Sequence, residues 1–394
     1  MSFDAIPTLF WLLLPVAAAS GWYMGRGGRS RRDADERAPR LAPDYFKGLN
    51  YLLNEQPDKA IEVFIKLLEV ESETVETHLA LGNLFRRRGE VDRAIRIHQN
   101  LIARPTLSKQ QRYLALLELG MDYMRSGLLD RAEALFQELL EVNLHTVPAL
   151  RHLVEIYQQE QDWNDAIAYA RKLEAATGES MSNVIAHYYC EQAEQGRREN
   201  NPRQAVELVK RALSVDRRCV RASLLEGEMA LEAGKPKAAI RSFQRVVQQD
   251  ASFLPEAIPP LRRCYQELGD TDGFSAYLRR LAEDHTAITP VLVLTEMIAE
   301  RQGVEDAIAY LSGELKKRPS VRGLQRLVEY AIGQAQGMVR DNLMIVKDFI
   351  SKLLENRPIY RCSHCGFTGK TLHWQCPGCK YWNTVKPIHG IEGE

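Results

Sequence analysis

Four cysteines near the end of the chain are the side chains best placed to do chemistry. They form two Cys-x-x-Cys pairs, Cys362 with Cys365 and Cys376 with Cys379, separated by ten residues. Each two-residue gap lets both sulfurs of a pair point the same way, so the two pairs can surround one ion tetrahedrally. Tetrahedral sulfur ligation suits either zinc or iron. The sequence therefore predicts one iron or zinc ion in a four-cysteine site.

Two other uses of these cysteines explain the pattern less well. A redox dithiol needs one pair and usually opens a helix, whereas glycine, proline, threonine and aromatic residues flank both pairs here. Disulfides are the second alternative, but the remaining cysteines, Cys190, Cys219 and Cys264, are scattered singly, as reduced thiols would be. A site of four thiolates around a metal is favoured over both.

The segment 360–382 resembles a rubredoxin-type domain. Tyr360 stands two positions before the first cysteine, and Cys-Gly and Cys-Pro-Gly-Cys turns follow. The stretch between the pairs is shorter than in free rubredoxins, so a truncated rubredoxin-like or zinc-ribbon module over residues 357–387 describes it better. Such a module is too small to fold alone, and we expect the metal to supply much of its folding free energy. An iron-based redox protein stays open as an alternative function.

Residues 357–391 carry five basic side chains and no acidic one. One explanation is a patch that binds nucleic acid, with Trp374 and Trp382 stacking on bases. The other is that four thiolates around a divalent ion leave a charge of about −2, which nearby cations offset. The sequence favours the second explanation. The basic residues are Arg357, Arg361, Lys370, Lys380 and Lys386.

The beginning of the chain has the pattern of a membrane anchor. Residues 5–24 are almost wholly apolar, and twenty helical residues span the hydrocarbon core of a bilayer, ~30 Å. Arginines are frequent in residues 25–42 and absent before the apolar run, which places the rest of the chain in the cytoplasm. The alternative is a signal peptide cleaved after 17–19, but its positive charge should precede the apolar run. We therefore predict a transmembrane helix within residues 1–24 and a basic juxtamembrane linker at 25–42.

A repeat of about 34 residues organises the middle of the chain. Glycines with an aromatic three residues later, as in Leu-Gly-x-x-Phe at 81–85 and Leu-Gly-x-x-Tyr at 119–123, suggest close packing of paired helices. Residues 43–320 resemble the tetratricopeptide family, with about eight repeats, and 321–356 continue as capping helices. The resemblance implies an all-α superhelix. The recurring small residues are Ala60, Ala94, Ala132, Ala166, Ala205, Ala239, Gly273 and Ala307.

Arrays of this family bind proteins in a groove lined by the first helix of each repeat. The residues expected there form a basic, methionine-bearing stripe suited to an acidic or amphipathic segment of a partner. An ordinary solvated helix face is the alternative for each residue taken singly. The predicted groove residues are Asn83, Arg86, Arg87, Met121, Met124, Arg125 and Arg151.

The sequence contains no catalytic constellation, and we predict that the protein is not an enzyme. It has no glycine-rich phosphate loop, no Gly-x-Ser-x-Gly and no His-Glu-x-x-His, and its nine histidines are dispersed. A shell of four cysteines leaves no position for substrate. The equal numbers of basic and acidic residues, 52 each, give no global attraction to nucleic acid.

The order of anchor, repeat array and metal module resembles the lipopolysaccharide assembly protein B family of Gram-negative bacteria. The resemblance implies an adaptor on the cytoplasmic face of the inner membrane that regulates lipopolysaccharide synthesis. It would promote degradation of the lipid A pathway deacetylase by a membrane AAA protease. Other lipopolysaccharide assembly proteins are further expected partners, and homo-oligomerisation stays open.

Overall fold

The computed structural model describes residues 18–20, 22, 43–70, 75–355, 357–391 and 393. Most of the predicted membrane helix and all of the linker 25–42 lie outside these residues. Within the described ranges, no helix is long and apolar enough to cross a bilayer. The described chain forms two compact units, one ending at Ala149 and one starting at Leu150.

In the described chain, sixteen helices between Pro43 and Lys317 form eight consecutive helix pairs, which we number as repeats one to eight. A ninth pair follows, α17 (Val321–Gln334) and α18 (Gly337–Glu355). The fold is the all-α repeat array expected from the sequence. The sixteen helices are α1 (Pro43–Leu53), α2 (Pro57–Val70), α3 (Val75–Arg88), α4 (Val91–Ile102), α5 (Lys109–Ser126), α6 (Leu129–Glu141), α7 (Thr146–Glu160), α8 (Trp163–Thr177), α9 (Ser182–Arg198), α10 (Pro202–Val215), α11 (Val220–Glu232), α12 (Pro236–Gln249), α13 (Leu254–Leu268), α14 (Thr271–Asp284), α15 (Thr289–Arg301) and α16 (Val304–Lys317).

Local sequence signals set where these helices begin and end. Ser108 caps α5 in a reciprocal capping box with Gln111, satisfying backbone N–H groups that have no partner within the helix. Gly127 ends the same helix in the left-handed conformation, at φ 79°. Pro202 and Pro236 stand in the first turns of α10 and α12, where a missing N–H costs nothing.

In four repeats a glycine of the first helix lies against a ring of the second helix, sixteen residues later. A Cβ atom placed on Gly48 would lie 2.7 Å from the Phe64 ring, and one on Gly120 would lie 2.6 Å from the Phe136 ring. These glycines admit the aromatic ring of the second helix. In repeat four the first helix has Val154 in place of the glycine, and the second helix has Ala170 sixteen residues later. In this repeat the larger side chain is therefore on the first helix.

A small three-stranded antiparallel sheet follows the helices. β1 (Tyr360–Cys362) lies in the centre, between β2 (Thr368–Gly369) and β3 (Val385–Pro387). β1 pairs Tyr360 with Gly369 on one side, and Cys362 with Val385 on the other. We call residues 357–391 the ribbon. Its Leu372 and Trp374 pack against the hydrophobic core that runs from α11 to α16, so the ribbon shares the core of the second unit.

Candidate metal centre and its docking surface

The structure brings the four predicted cysteine ligands together. The Sγ atoms of all four lie within 4.8 Å of one another. The Cys362 and Cys379 sulfurs are 3.7 Å apart, and those of Cys365 and Cys376 are 3.6 Å apart. A tetrahedron with metal–sulfur bonds of ~2.3 Å has corners ~3.8 Å apart. Disulfide sulfurs would lie at ~2.05 Å, so this geometry fits a tetrathiolate metal site and not a pair of disulfides.

Turn geometry at each Cys-x-x-Cys pair aims both sulfurs inward. In the first pair the Cys362 N–H donates to the Phe367 carbonyl at 2.7 Å, and Gly366 takes φ 77° to close the turn. In the second pair the Lys380 N–H donates to the Cys376 carbonyl at 2.9 Å, with Lys380 at φ 62°. In both turns the residue directly after the second cysteine, Gly366 or Lys380, has a positive φ. The same two-residue spacing therefore occurs in each pair.

The cysteine environments differ in how readily each thiol ionises. Burial opposes ionisation of Cys362, but its hydrogen bond with the Thr384 hydroxyl and those from the Cys365 and His364 backbone N–H groups outweigh burial and lower its pKa to about 6. Burial, together with the neighbouring thiols, raises the pKa of Cys379 to about 12. Four thiols crowded without a cation cannot all ionise, and a divalent ion is what would let them do so.

Trp382 of the ribbon packs against repeats four and five. Its ring is 8% exposed and its indole N–H donates to Gln158 Oε1 on α7 at 2.7 Å. The Tyr188 hydroxyl donates to the same oxygen at 2.9 Å, and its ring meets the indole edge-on at 5.8 Å. The Trp163 ring lies 6.5 Å away. Because the Trp382 ring is buried and its indole N–H has a hydrogen-bond partner, this side chain fixes the position of the ribbon on repeats four and five.

Trp374 is a second anchor, on repeats five to seven. It stacks on Phe253 at 5.5 Å, and the Arg221 guanidinium lies 6.0 Å from its ring centroid. Between the two tryptophans lies His187 of α9, 5.9 Å from one ring and stacked on Trp382 at 5.2 Å. Burial, and to a lesser degree the charge of Arg221, lowers the pKa of His187 to about 3. The histidine is therefore neutral in this packing.

Polar contacts hold the far edge of the ribbon. Lys386 of β3 pairs with Asp250 at 2.7 Å, just before α13. Burial raises the pKa of Asp250, but its hydrogen bonds from Lys386 and Ser252 outweigh this and lower it overall. The Tyr360 hydroxyl donates to Glu256 of α13. Repeats four to seven thus each contact the ribbon through their first helix or the turn that precedes it.

A cavity of about 740 Å³ opens beside Trp374 and the first helices of repeats five and six. Its charged walls largely neutralise each other. Arg197 pairs with Glu228 at 3.1 Å and with Glu232 at 2.6 Å. Arg221, whose side chain is 4% exposed, pairs with Glu194 at 2.8 Å. The lining has four glutamates and three arginines, so most of its charge is neutralised within the walls.

These contacts weigh against the nucleic-acid explanation of the basic ribbon. Trp382 is buried against helices, and Trp374 is partly buried with its ring stacked on Phe253. Lys386 is paired with Asp250, and the Lys370 ammonium donates to the Glu355 carbonyl at 2.7 Å. The sequence left the role of the tryptophans open, and no residue pattern pointed to Gln158, His187 or Asp250 as their partners.

In the first unit, Arg86 is used within the array. Its guanidinium pairs with Glu118 at 2.6 Å and with the fully buried Asp122 at 2.8 Å. It also donates to Asn83 Oδ1 at 2.8 Å. The other oxygen of Asp122 lies 2.5 Å from His98 Nδ1. The polar cluster joins α3 and α4 to α5, so Arg86 and Asn83 serve the packing of repeats two and three.

The other predicted groove residues include the most accessible ones. Arg87 and Arg125 are exposed, and Met121 and Met124 are partly so. Arg151 belongs to the second unit, where it is exposed and pairs with Glu179 at 2.9 Å. Asn83 and Arg86 are partly exposed like the two methionines, so the three arginines Arg87, Arg125 and Arg151 are the most accessible of the seven.

Comparison with known proteins agrees with this architecture. Residues 360–387 match a family model described as a rubredoxin metal binding domain, and residues 77–112, 117–180 and 192–252 match models of the tetratricopeptide repeat. The chain is 41% identical over 386 residues to lipopolysaccharide assembly protein B of Escherichia coli (strain K12), covering 98% of this chain and 99% of that protein.

A second relative and one solved structure complete the comparison. Lipopolysaccharide assembly protein B of Haemophilus influenzae is 36% identical over 397 residues, covering 98% of this chain and 99% of that protein. The structure of Naa15/Naa10 bound to HypK-THB is similar at a TM-score of 0.40 and 13% identity, covering 80% of this chain and 47% of that one.

Proposed function

The chain belongs to the lipopolysaccharide assembly protein B family, and from that premise we propose that it is a non-enzymatic adaptor which holds a client protein on its repeat array. Its task would be to regulate lipopolysaccharide synthesis. The finer proposal is that it presents the lipid A pathway deacetylase to a membrane AAA protease for degradation. A membrane anchor within residues 1–24 would keep the array on the cytoplasmic face of the inner membrane.

One observation supports the adaptor role above the others: the ribbon contacts four consecutive repeats through their first helices. Gln158, His187, Arg221 and Glu256 come from repeats four, five, six and seven. A module fixed in this way holds the relative positions of four repeats. The metal would thus act on the shape of the binding surface, and its closed sulfur shell leaves no position for substrate.

The residues that remain accessible suit a protein client. Repeats two and three present two exposed arginines, Arg87 and Arg125, and two partly exposed methionines, Met121 and Met124, whose flexible side chains adapt to varied partners. Such a surface fits an acidic or amphipathic segment. Anchoring in a membrane would raise the effective concentration of membrane-bound clients without any new contact.

Complementation tests this function. The full chain is expressed in Gram-negative cells depleted of their own family member, and deacetylase abundance and lipopolysaccharide content are measured. We expect the unaltered chain to restore both, and a chain lacking residues 1–24 to lose most of the effect while still folding. Deacetylase levels that do not respond to the unaltered chain would contradict the proposed proteolysis.

Photocrosslinking in membranes identifies the client surface. A photoreactive residue replaces Arg125, and a matched chain carries it at Glu207, an exposed residue on the second helix of repeat five. We expect the deacetylase or the protease to be captured at position 125 and not at 207. Equal capture at both positions would rule out a client site in repeats two and three.

A further inference from the structure

The last helix, α18, exposes a largely apolar face from Met338 to Leu353. Met338 is 78% exposed, Phe349 67% and Ile345 57%. On a helix of 3.6 residues per turn, the exposed apolar residues occupy one stripe of about 120°. Asn342 is the polar residue within the stripe. The stripe consists of Met338, Val339, Ile345, Val346, Phe349 and Leu353.

The opposite side of α18 is already used. Ile350 is buried, the Ser351 hydroxyl accepts a hydrogen bond from Gln325 of α17 at 3.3 Å, and Lys347 pairs with Glu329 of α17 at 3.7 Å. The helix therefore has one face on its neighbour α17 and one face without a partner among the described residues. An exposed apolar stripe of this length is typical of an interaction surface.

We propose that this face binds the same face of a second copy of the chain, with the two α18 helices antiparallel. The two ends of the stripe and its centre are symmetric about the midpoint between Ile345 and Val346, whereas Phe349 would face the partner's Asn342. Reversal of chain direction there places Met338 opposite the partner's Leu353 and Ile345 opposite the partner's Val346. An isologous pair needs this property, because the same patch must complement itself.

The charges beside the stripe are self-complementary as well. Asp341 and Lys352 are exposed and lie on the same flank of the helix, eleven residues or about three turns apart. In the antiparallel arrangement Asp341 comes within reach of the partner's Lys352, and the symmetry makes this contact twice. In a parallel arrangement this flank of the two copies would lie on opposite sides of the interface, and Asp341 would not reach the partner's Lys352.

The size of the face is sufficient for a dimer. Six side chains of this size expose on the order of 600 Å² in one copy, and two copies together exceed the ~1,000 Å² that a specific interface needs. A lipid surface fits less well, because helices that lie on membranes are usually rich in Lys and Arg on their polar face. Here the charges balance: Arg340, Lys347 and Lys352 against Asp341, Asp348 and Glu355.

Cysteine crosslinking of the full chain in its membrane tests the pairing directly. Ile345→Cys places a thiol near the twofold axis, and Met344→Cys places one on an exposed residue outside the stripe as the matched control. Under mild oxidation we expect crosslinked dimers from I345C and at least tenfold less from M344C. Equal yields from both would overturn the proposal.

Charge reversal gives an independent result. Asp341→Lys and Lys352→Asp should each raise the dissociation constant of the full chain, measured in detergent by sedimentation, at least tenfold, and the double variant should restore it. Phe349→Glu should give monomers with an unchanged circular dichroism spectrum. A mass that stays the same in all variants, or vesicles of anionic lipid that bind the full chain but not F349E, would instead exclude a second copy as the occupant. Neither outcome bears on the adaptor function.

Discussion

The indole N–H of Trp382 and the side-chain oxygen of Gln158 are 2.7 Å apart, although 224 positions of sequence separate the two residues. Gln158 also accepts from Tyr188, so one amide oxygen joins the ribbon to two helices of the array. This contact ties the fold of the metal module to the fold of repeats four and five.

Trp382→Ala should detach the ribbon. The change removes a large buried ring and leaves Gln158 with one hydrogen bond fewer, which we expect to lower the free energy of unfolding by ~3–5 kcal/mol. Hydrogen exchange of residues 357–391 should rise strongly. Tyr381→Ala is the control, because Tyr381 is 56% exposed and adjacent in sequence.

Trp382→Phe separates the two parts of this anchor. The phenyl ring keeps most of the packing and lacks the N–H donor, so we expect a loss of ~1–2 kcal/mol. A loss as large as that of W382A would mean that the hydrogen bond, and not the packing, dominates.

Removal of the metal ligands should unfold the ribbon and spare the helices. Cys362→Ser combined with Cys365→Ser leaves two sulfurs, too few to hold the ion. We expect loss of bound metal by elemental analysis, a nearly unchanged helical circular dichroism signal, and loss of complementation. Ser363→Ala between them is the control. The same elemental analysis of the unaltered chain distinguishes zinc from iron, and retained metal in the double variant would contradict the four-sulfur site.

Acid should weaken the second unit through His187. Its pKa is about 3 in the folded protein and ~6.5 when unfolded, so the unfolded state binds more protons between these values. Above pH ~6.5 the titration of His187 therefore takes nothing from the free energy of unfolding. Between ~6.5 and 3 that free energy falls by ~1.4 kcal/mol for each unit of pH. Urea unfolding between pH 7 and 5 measures the slope.

His187→Phe isolates this effect from metal release, which also depends on pH. Phenylalanine keeps a ring between the two tryptophans and does not titrate. The difference between the two stability curves should be constant above pH 7 and change as pH falls below it. Parallel curves would show that His187 does not titrate on unfolding.

The repeat array and the ligand set were predictable because each depends on local patterns. A period of 34 residues and glycines that meet a ring sixteen residues later arise within one helix pair, as Gly120 and Phe136 do. The Cys-x-x-Cys spacing likewise encodes a single turn. The sequence also predicted the all-α class.

The docking of the ribbon was not predictable from the same patterns. Its contacts join Trp382 to Gln158 and Lys386 to Asp250 across 224 and 136 positions, and either partner alone resembles an ordinary helix or surface residue. Arg86 is another residue whose contacts could not be predicted from local patterns. Its position on the first helix of a repeat suggested a groove residue, while its ion pair with Asp122 comes from the next repeat, 36 positions on.

Gly227→Ala should destabilise the second unit. A Cβ atom there would lie 2.5 Å from the Phe243 ring, so helices α11 and α12 would have to separate. We expect a loss of ~1–3 kcal/mol in urea unfolding. Gly313→Ala is the matched control in the same unit, because a Cβ atom on that exposed helical glycine meets nothing, and it should gain ~0.5–1 kcal/mol. Equal effects at both positions would contradict close packing at Gly227.

Substitutions of two adjacent arginines of α3 should have different effects: one on stability and the other on client binding. Arg86→Ala leaves the fully buried Asp122 with one cationic partner fewer, and we expect the first unit to lose ~3–5 kcal/mol. Arg87 is exposed, so Arg87→Ala should change stability by less than ~0.5 kcal/mol while weakening capture of the client. Urea unfolding and crosslinking from position 125 measure the two effects. A stable R86A variant would show that Asp122 is satisfied by His98 alone, and an R87A variant with full capture would remove Arg87 from the client surface.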